Sequence, residues 1–374
     1  MLISLLQAGW WFTKDTYFHS PDLGDKDSIR PNSETDPDRF AYCVKESIHQ
    51  LINVKGYTNI KYLILFTEPL NYKSGIVPEG FTQEEYYGKV CRKIQEELVN
   101  AGLRDKIKIV GPNSGSTRNG QWVGWAKNNL DDVIDIYSWH AYNATRWDRE
   151  YGGWKEIVEL GKNKIIETGK PFWIDEYGSG IPNELIRTEP DYGNYIAQCI
   201  AAFIKSGAQT SLIWLLMDQQ YVDPLENADG SDAFHNGVHR WGLTKWPHDS
   251  LPDAKNPYPA YYAFSMLSKY LGGRNGTKVF KTTNDDSLYI VATQPNGKEL
   301  SIMIVNASHS SQKFEIKLAE SINSTLRRHL YDPQKIKANE DKYNIDYVRE
   351  FKNVHSNILD ELPSRGVAIY TTMK

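Results

Sequence analysis

The chain has 374 residues with 43 Lys and Arg against 47 Asp and Glu, a formal net charge of -4. With no long run of one sign it lacks the basic surface that a nucleic-acid backbone or an anionic membrane would attract, so neither is expected as a partner. Its length exceeds the roughly 100–200 residues of an ordinary domain, which leaves one large α/β barrel or a barrel with an accessory domain.

In chain order, residues 2–9 read as a short buried strand, followed by a polar loop rich in Asp, Pro and Ser. A helix is predicted from about 38 to 54, because Phe40, Val44, Ile48, Leu51 and Ile52 recur at helical spacing behind Asp36, which can cap it. The run IKYLILF, 60–66, is continuously apolar, as strands are when both faces are covered. The alternation then repeats as helix 82–101, strand 107–111, helix 121–129, strand 133–139, helix 152–168, strand 171–176, helix 191–206 and strand 210–217. Strands and helices alternating in this way predict βαβ units and a parallel sheet. A long loop over 218–257 leads to a last helix at 260–271, stopped by Gly272 and Gly273. Beyond 275 the short alternating strands SLYIVAT, LSIMIVN, KFEIKL and GVAIYTT predict a small antiparallel β-sandwich. The expected domains are a barrel over 1–273 and a sandwich over 274–374. Only six strands can be counted where a closed barrel of this class needs eight. The first two βα units are therefore expected to be missing, and a homodimer is expected to cover the open edge.

The three cysteines, Cys43, Cys91 and Cys199, are odd in number and show no CxxC spacing, so neither a disulfide framework nor a zinc site is indicated. The opening MLISLLQAGWWF is apolar without a basic segment or a small-residue cleavage site, and no window reaches the length of a membrane span. Sequons at Asn143, Asn275, Asn306 and Asn323 leave the compartment undecided. Aromatic residues make up 12% of the chain, including 11 Trp and 23 Tyr, many in polar segments. A flat ring beside hydrogen-bonding groups suits the apolar face of a sugar, which points to an oligo- or polysaccharide substrate.

Two constellations carry chemistry: LFTEPL, 65–70, and PFWIDEYGSG, 171–180. Each places a glutamate, Glu68 or Glu176, at the carboxyl end of a buried strand, where barrel enzymes hold their reactive groups. Either glutamate alone reads as a strand-end or helix-capping residue. Together they supply the acid and the second carboxylate that glycoside hydrolysis requires, with no cofactor and no metal.

On these residues the chain resembles the retaining glycoside hydrolases of clan A, with features like those of families 39 and 5. The resemblance implies a (β/α)8 barrel with Glu68 as acid/base after strand four and Glu176 as nucleophile after strand seven, cleaving a β-linkage by double displacement. It also implies sugar contacts from His140 and Tyr142 in WHAYN and from Trp214 in SLIWLLMDQ. Thr67 stands where the clan usually has an Asn that holds the sugar 2-hydroxyl, and the arginine of the missing strand two is absent. Trp10, Trp11, Trp241 and Trp246 are the expected stacking platforms, with His235 to Arg240 lining the cleft; Asp218, Gln219, His235 and His239 lack regular ligand spacing and read as substrate contacts. The alternative readings are a carbohydrate-binding protein on a weakened barrel, and a structural barrel of an assembly.

Overall fold

The computed structural model describes residues 2–4, 37–69, 80–115, 119–143, 151–179, 184–220, 238–245, 257–273, 276–283, 287–318, 321–336, 344–352, 354 and 357–374. Contacts divide the chain into two compact units. One comprises Met1–Ala141, Ile157–Glu176 and Ala208–Thr210, the other Tyr142–Glu156, Tyr177–Gly207 and Ser211–Lys374.

The first elements alternate as the apolar pattern requires: β1 Leu2–Ser4, α1 Pro37–His49, β2 Tyr62–Ile64, α2 Gln83–Asn100, β3 Lys108–Ser114, α3 Asn119–Leu130, β4 Ile136–Asn143, α4 Tyr151–Ile165, β5 Phe172–Ser179, α5 Asp191–Ser206 and β6 Thr210–Ile213. Strands β1 to β6 form one six-stranded sheet in chain order, and the pairings β1–β2, β2–β3 and β3–β4 are parallel. A π-helical turn over Gln50–Val54 completes the expected first helix. Helix α2 begins at a capping box in which the Thr82 hydroxyl accepts from the Glu85 N–H and the Glu85 carboxylate accepts from the Thr82 N–H. It packs on α1 and buries Tyr86, Tyr87, Val90, Cys91, Ile94 and Leu98, each such side chain contributing roughly 1.5–3 kcal/mol.

Several strand limits differ from the expected ones. Strands β3, β4 and β5 run on into the polar ends PNS, HAYN and YGS, where Asn113 and His140 pair with each other instead of facing water. Strand β2 stops at Ile64 rather than 66, because Phe66 has left the extended region at φ 51°. Strand β6 ends at Ile213 rather than 217. Residues 5–9 of the expected first strand lie outside the described residues.

In the second unit, the stretch expected as a plain loop contributes an antiparallel ribbon of β7 Gln219–Gln220 and β8 Val238–His239. Helix α6, Pro259–Tyr270, follows, then β9 Thr277–Phe280, β10 Leu288–Pro295, β11 Ser301–Asn306, β12 Gln312–Lys317, β13 Leu326–Tyr331, β14 Tyr347–Phe351, β15 Asn357–Leu362 and β16 Val367–Thr371. A six-stranded sheet of order β14-β13-β16-β11-β10-β9 and a two-stranded sheet β12-β15 share one apolar core. Ile302, Ile304, Leu326 and Ala368 of the larger sheet meet Ile316, Ile358 and Leu362 of the smaller. Helix α5 packs on β10 and β11, and α6 packs on α5, β13 and β16. The Asn194 amide of α5 donates to the carbonyls of Asn306 and Arg365, each at 2.9 Å. Tyr331 crosses α5 at Gly193, where a Cβ would fall 2.5 Å from the phenol ring.

Candidate active site

The chain leaves β2 through an unusual backbone. Phe66 and Glu68 take φ of 51° and 48°, a left-handed region that costs a bulky residue energy and persists only where packing enforces it. Packing does so here: the buried Phe66 ring stacks on Phe40 at 5.3 Å and meets the edge of Tyr87 at 5.7 Å. Locking Phe66 in this way turns the next residues out of the strand and sets the Glu68 side chain at its end.

Strand β3 contributes a second left-handed residue. Asn113 has φ 54° and sits where the β3–β4 register slips between Pro112 and Ser114. A bulge of this kind re-aims a side chain, and Asn tolerates the conformation better than most residues. The Asn113 carboxamide accepts from the Glu68 N–H at 3.2 Å and donates to Asp175 Oδ2 at 2.6 Å. Its own N–H donates to Ser138 Oγ at 3.2 Å.

Strand β4 supplies the centre of the site. Alternation puts Trp139 on one face, stacked on Phe172 at 5.0 Å, and Ser138 and His140 on the other. His140 has no solvent exposure; its Nδ1 lies 2.8 Å from Glu68 Oε1, and its Nε2 lies 3.1 Å from Asn113 Oδ1 and 3.7 Å from Glu176 Oε2. One imidazole thus spans the two glutamates. Glu68 keeps 28% and Glu176 16% of its side chain exposed, so both remain reachable from solvent while the histidine between them does not. Gly115 completes the enclosure, because a Cβ there would lie 3.0 Å from Glu68 Oε1.

Electrostatically the site is three acids around one base. Burial favours neutral His140, but the hydrogen bond to Glu68 and the charges of Glu176 and Asp175 outweigh it and push the pKa up to about 9. Burial raises Asp175 above the usual carboxylate range, opposed by His140, Ser138 and Asn113.

Of the residues expected from sequence, Glu68, His140 and Glu176 are therefore brought together within one unit. Thr67 precedes Glu68 in the same turn and is half-buried. Tyr142, Trp214 and Trp241 belong to the other unit. There, Tyr142 borders Gly178, the Trp214 backbone N–H donates to the Tyr177 carbonyl at 2.9 Å, and the Trp241 backbone carbonyl accepts from the Leu215 N–H at 3.2 Å. Trp10, Trp11, Trp246 and His235 lie outside the described residues. Asp218, read from sequence as a substrate contact, is instead buried, its carboxylate accepting from the Gly242 N–H at 2.9 Å and the Tyr258 hydroxyl at 2.8 Å. Among the described residues no group of three His, Cys, Asp or Glu side chains could hold a metal ion, and no helix is long and apolar enough to cross a membrane. Sequence reasoning missed Asn113, Asp175 and Gly115; the GPNSG run directly after an apolar strand was the available signal for two of them.

No family model and no curated protein matches the chain. Solved structures do. A glycoside hydrolase family 30 subfamily 8 xylanase from Clostridium acetobutylicum is similar at 16% identity over 92% of this chain and 72% of that one, with a TM-score of 0.58. A family 39 β-xylosidase from Caulobacter crescentus follows at 12% identity, 90% and 72% coverage and a TM-score of 0.56. An α-L-arabinofuranosidase from Thermotoga maritima, in complex with arabinose, gives 13%, 90%, 73% and 0.57. At these identities the likeness is one of fold: an α/β chain with a parallel sheet and an antiparallel β region, as in clan A glycoside hydrolases.

Proposed function

We propose that the chain is a retaining glycoside hydrolase that cleaves β-linked sugars of an oligo- or polysaccharide, with Glu68 as acid/base and Glu176 as nucleophile. The observation that carries this reading is the buried His140 held between two partly exposed glutamates at the carboxyl ends of strands in one parallel sheet. In this reading β1 to β6 correspond to strands three to eight of a clan A barrel, Glu68 protonates the departing oxygen, and Glu176 attacks the anomeric carbon. Glu68 then deprotonates the water that releases the glycosyl-enzyme. A second copy covering the β1 edge belongs to the same reading, and a monomer in light scattering would remove that part of it.

The test is turnover of a panel of aryl β-glycosides and soluble β-glycans, with the anomer of the first-formed product read by NMR. Retained configuration, lost in both Glu68→Ala and Glu176→Ala, is the expected result. Glycan binding without cleavage would replace this reading by that of a carbohydrate-binding protein, to which the Thr67 substitution already gives some support.

A further inference from the structure

Asn113 has no part in the two-glutamate chemistry, yet its side chain joins Glu68, His140 and Asp175. The backbone N–H of Glu68, which donates to the Asn113 backbone carbonyl at 3.0 Å, also lies 3.2 Å from one end of the Asn113 carboxamide; a donor at that end favours the oxygen there. The same oxygen stands 3.1 Å from His140 Nε2, so Nε2 carries a hydrogen. The NH2 end donates to Asp175 at 2.6 Å, which disfavours the reversed amide. With Nε2–H settled, the ring atom left to exchange a proton is Nδ1, 2.8 Å from Glu68 Oε1.

We infer that Asn113, braced by Asp175, is a positioning residue that fixes His140 in its Nε2–H form and so points the ring's one titrating nitrogen, Nδ1, at Glu68. This rests on the hydrolase reading of the site. With Nδ1 protonated as well, His140 is an imidazolium that holds this hydrogen toward Glu68 Oε1 through the whole cycle, while Glu68 carries its own separate proton. When Glu68 gives its proton to the glycosidic oxygen, the anomeric C–O bond breaks and its electron pair stays on that oxygen. Glu176 bonds to the anomeric carbon, and the new Glu68 carboxylate accepts from Nδ1–H. In the second half, water oxygen bonds to the anomeric carbon, the bond to Glu176 breaks with its pair returning to the carboxylate, and Glu68 takes the water proton. His140 ends as it began. Among the described residues, the charged groups that face the ring are Glu68 from the turn after β2 and Asp175 and Glu176 from β5, all acidic, and each favours the cation.

The ring nitrogens can be read by 15N NMR of histidine-labelled protein, the resonances of His140 being assigned by their loss in His140→Gln. The expected spectrum keeps Nε2 protonated at every pH and loses the Nδ1 proton on the alkaline side. A neutral ring protonated at Nδ1 in the wild type would overturn the inference, whether or not any variant folds. In a second arm, Asn113→Ala is compared with the wild type on β-glycosides with an alkyl and a dinitrophenyl leaving group, since acid assistance matters to the first and little to the second. The variant should lose kcat/KM on the alkyl glycoside by on the order of tenfold or more, stay within a few-fold on the dinitrophenyl one, and shift the alkaline limb of its pH profile. An equal loss on both substrates with an unmoved limb would mean a merely structural role and overturn it. A wild type that cleaves neither glycoside but shows the Nε2–H ring would sink the hydrolase reading and with it the catalytic role, leaving the ring assignment as a distinct result.

Discussion

Two buried polar clusters in this protein are built from similar parts and settle differently. In the sandwich, Arg328 Nε lies 2.9 Å from Asp360 Oδ2, Tyr370 donates its hydroxyl to the same oxygen at 2.7 Å, and Arg328 Nη2 donates to the Glu361 carbonyl at 2.9 Å. One positive charge meets one negative charge, and the guanidinium also reaches the Tyr370 hydroxyl and the Glu361 carbonyl. At the end of the parallel sheet, Glu68, Asp175 and Glu176 surround the single imidazole of His140, on a backbone turned into the left-handed region at Phe66, Glu68 and Asn113. A cluster that only holds a fold together has no reason to leave acid in excess or to sit on strained backbone; a cluster that moves protons has both.

That contrast can be broken in graded ways. Glu176→Ala should reduce turnover on the order of 10^4-fold while leaving the melting temperature near that of the wild type, because removing one of three crowded acids relieves repulsion. Unfolding of the variant at the growth temperature would instead make Glu176 structural. Arg328→Met should do the reverse. Leaving Asp360 buried without its partner costs about 3–5 kcal/mol in chemical denaturation, with the kcat of the surviving folded fraction unchanged. Gly115→Ala, which crowds the Glu68 carboxyl, should lower kcat by on the order of tenfold with little effect on the denaturation midpoint.

The smallest effect is in pH. His140 is raised from the ordinary 6.5 to about 9 in the folded protein, so its stabilising contribution is fully present below about 6.5 and is lost as pH rises through about 9. The gap in melting temperature between the wild type and His140→Gln should narrow over that interval. A gap independent of pH would mean that the ring is neutral throughout.

How far the sequence carried this picture depends on whether a signal was local. Helix 191–206 was readable from the sequence alone. Glu68 and Glu176 were readable because a carboxylate ending an apolar strand is locally conspicuous. Asn113 was not, since its meaning comes from a register slip and from partners 45 and 62 residues away along the chain. Strand β13, LRRHLY, hid for a related reason: Arg328 and His329 look like surface residues until Asp360 and the Ile345 carbonyl are placed beside them. The expected loop at 218–257 likewise concealed Asp218, whose buried hydrogen bonds to Gly242 and Tyr258 tie that segment together.

Helix α5 directly follows the strand that carries Glu176, and it also forms a wall of the sandwich, through Asn194, through Tyr331 lying across Gly193, and through its packing on β10 and β11. The sandwich is therefore not a module that recombination can discard. A gene cut after residue 273 would strip one side of α5 of its cover and leave the Asn194 amide without the carbonyls it binds. Shuffling or shortening of such a chain is expected to succeed only where helix and sandwich travel together.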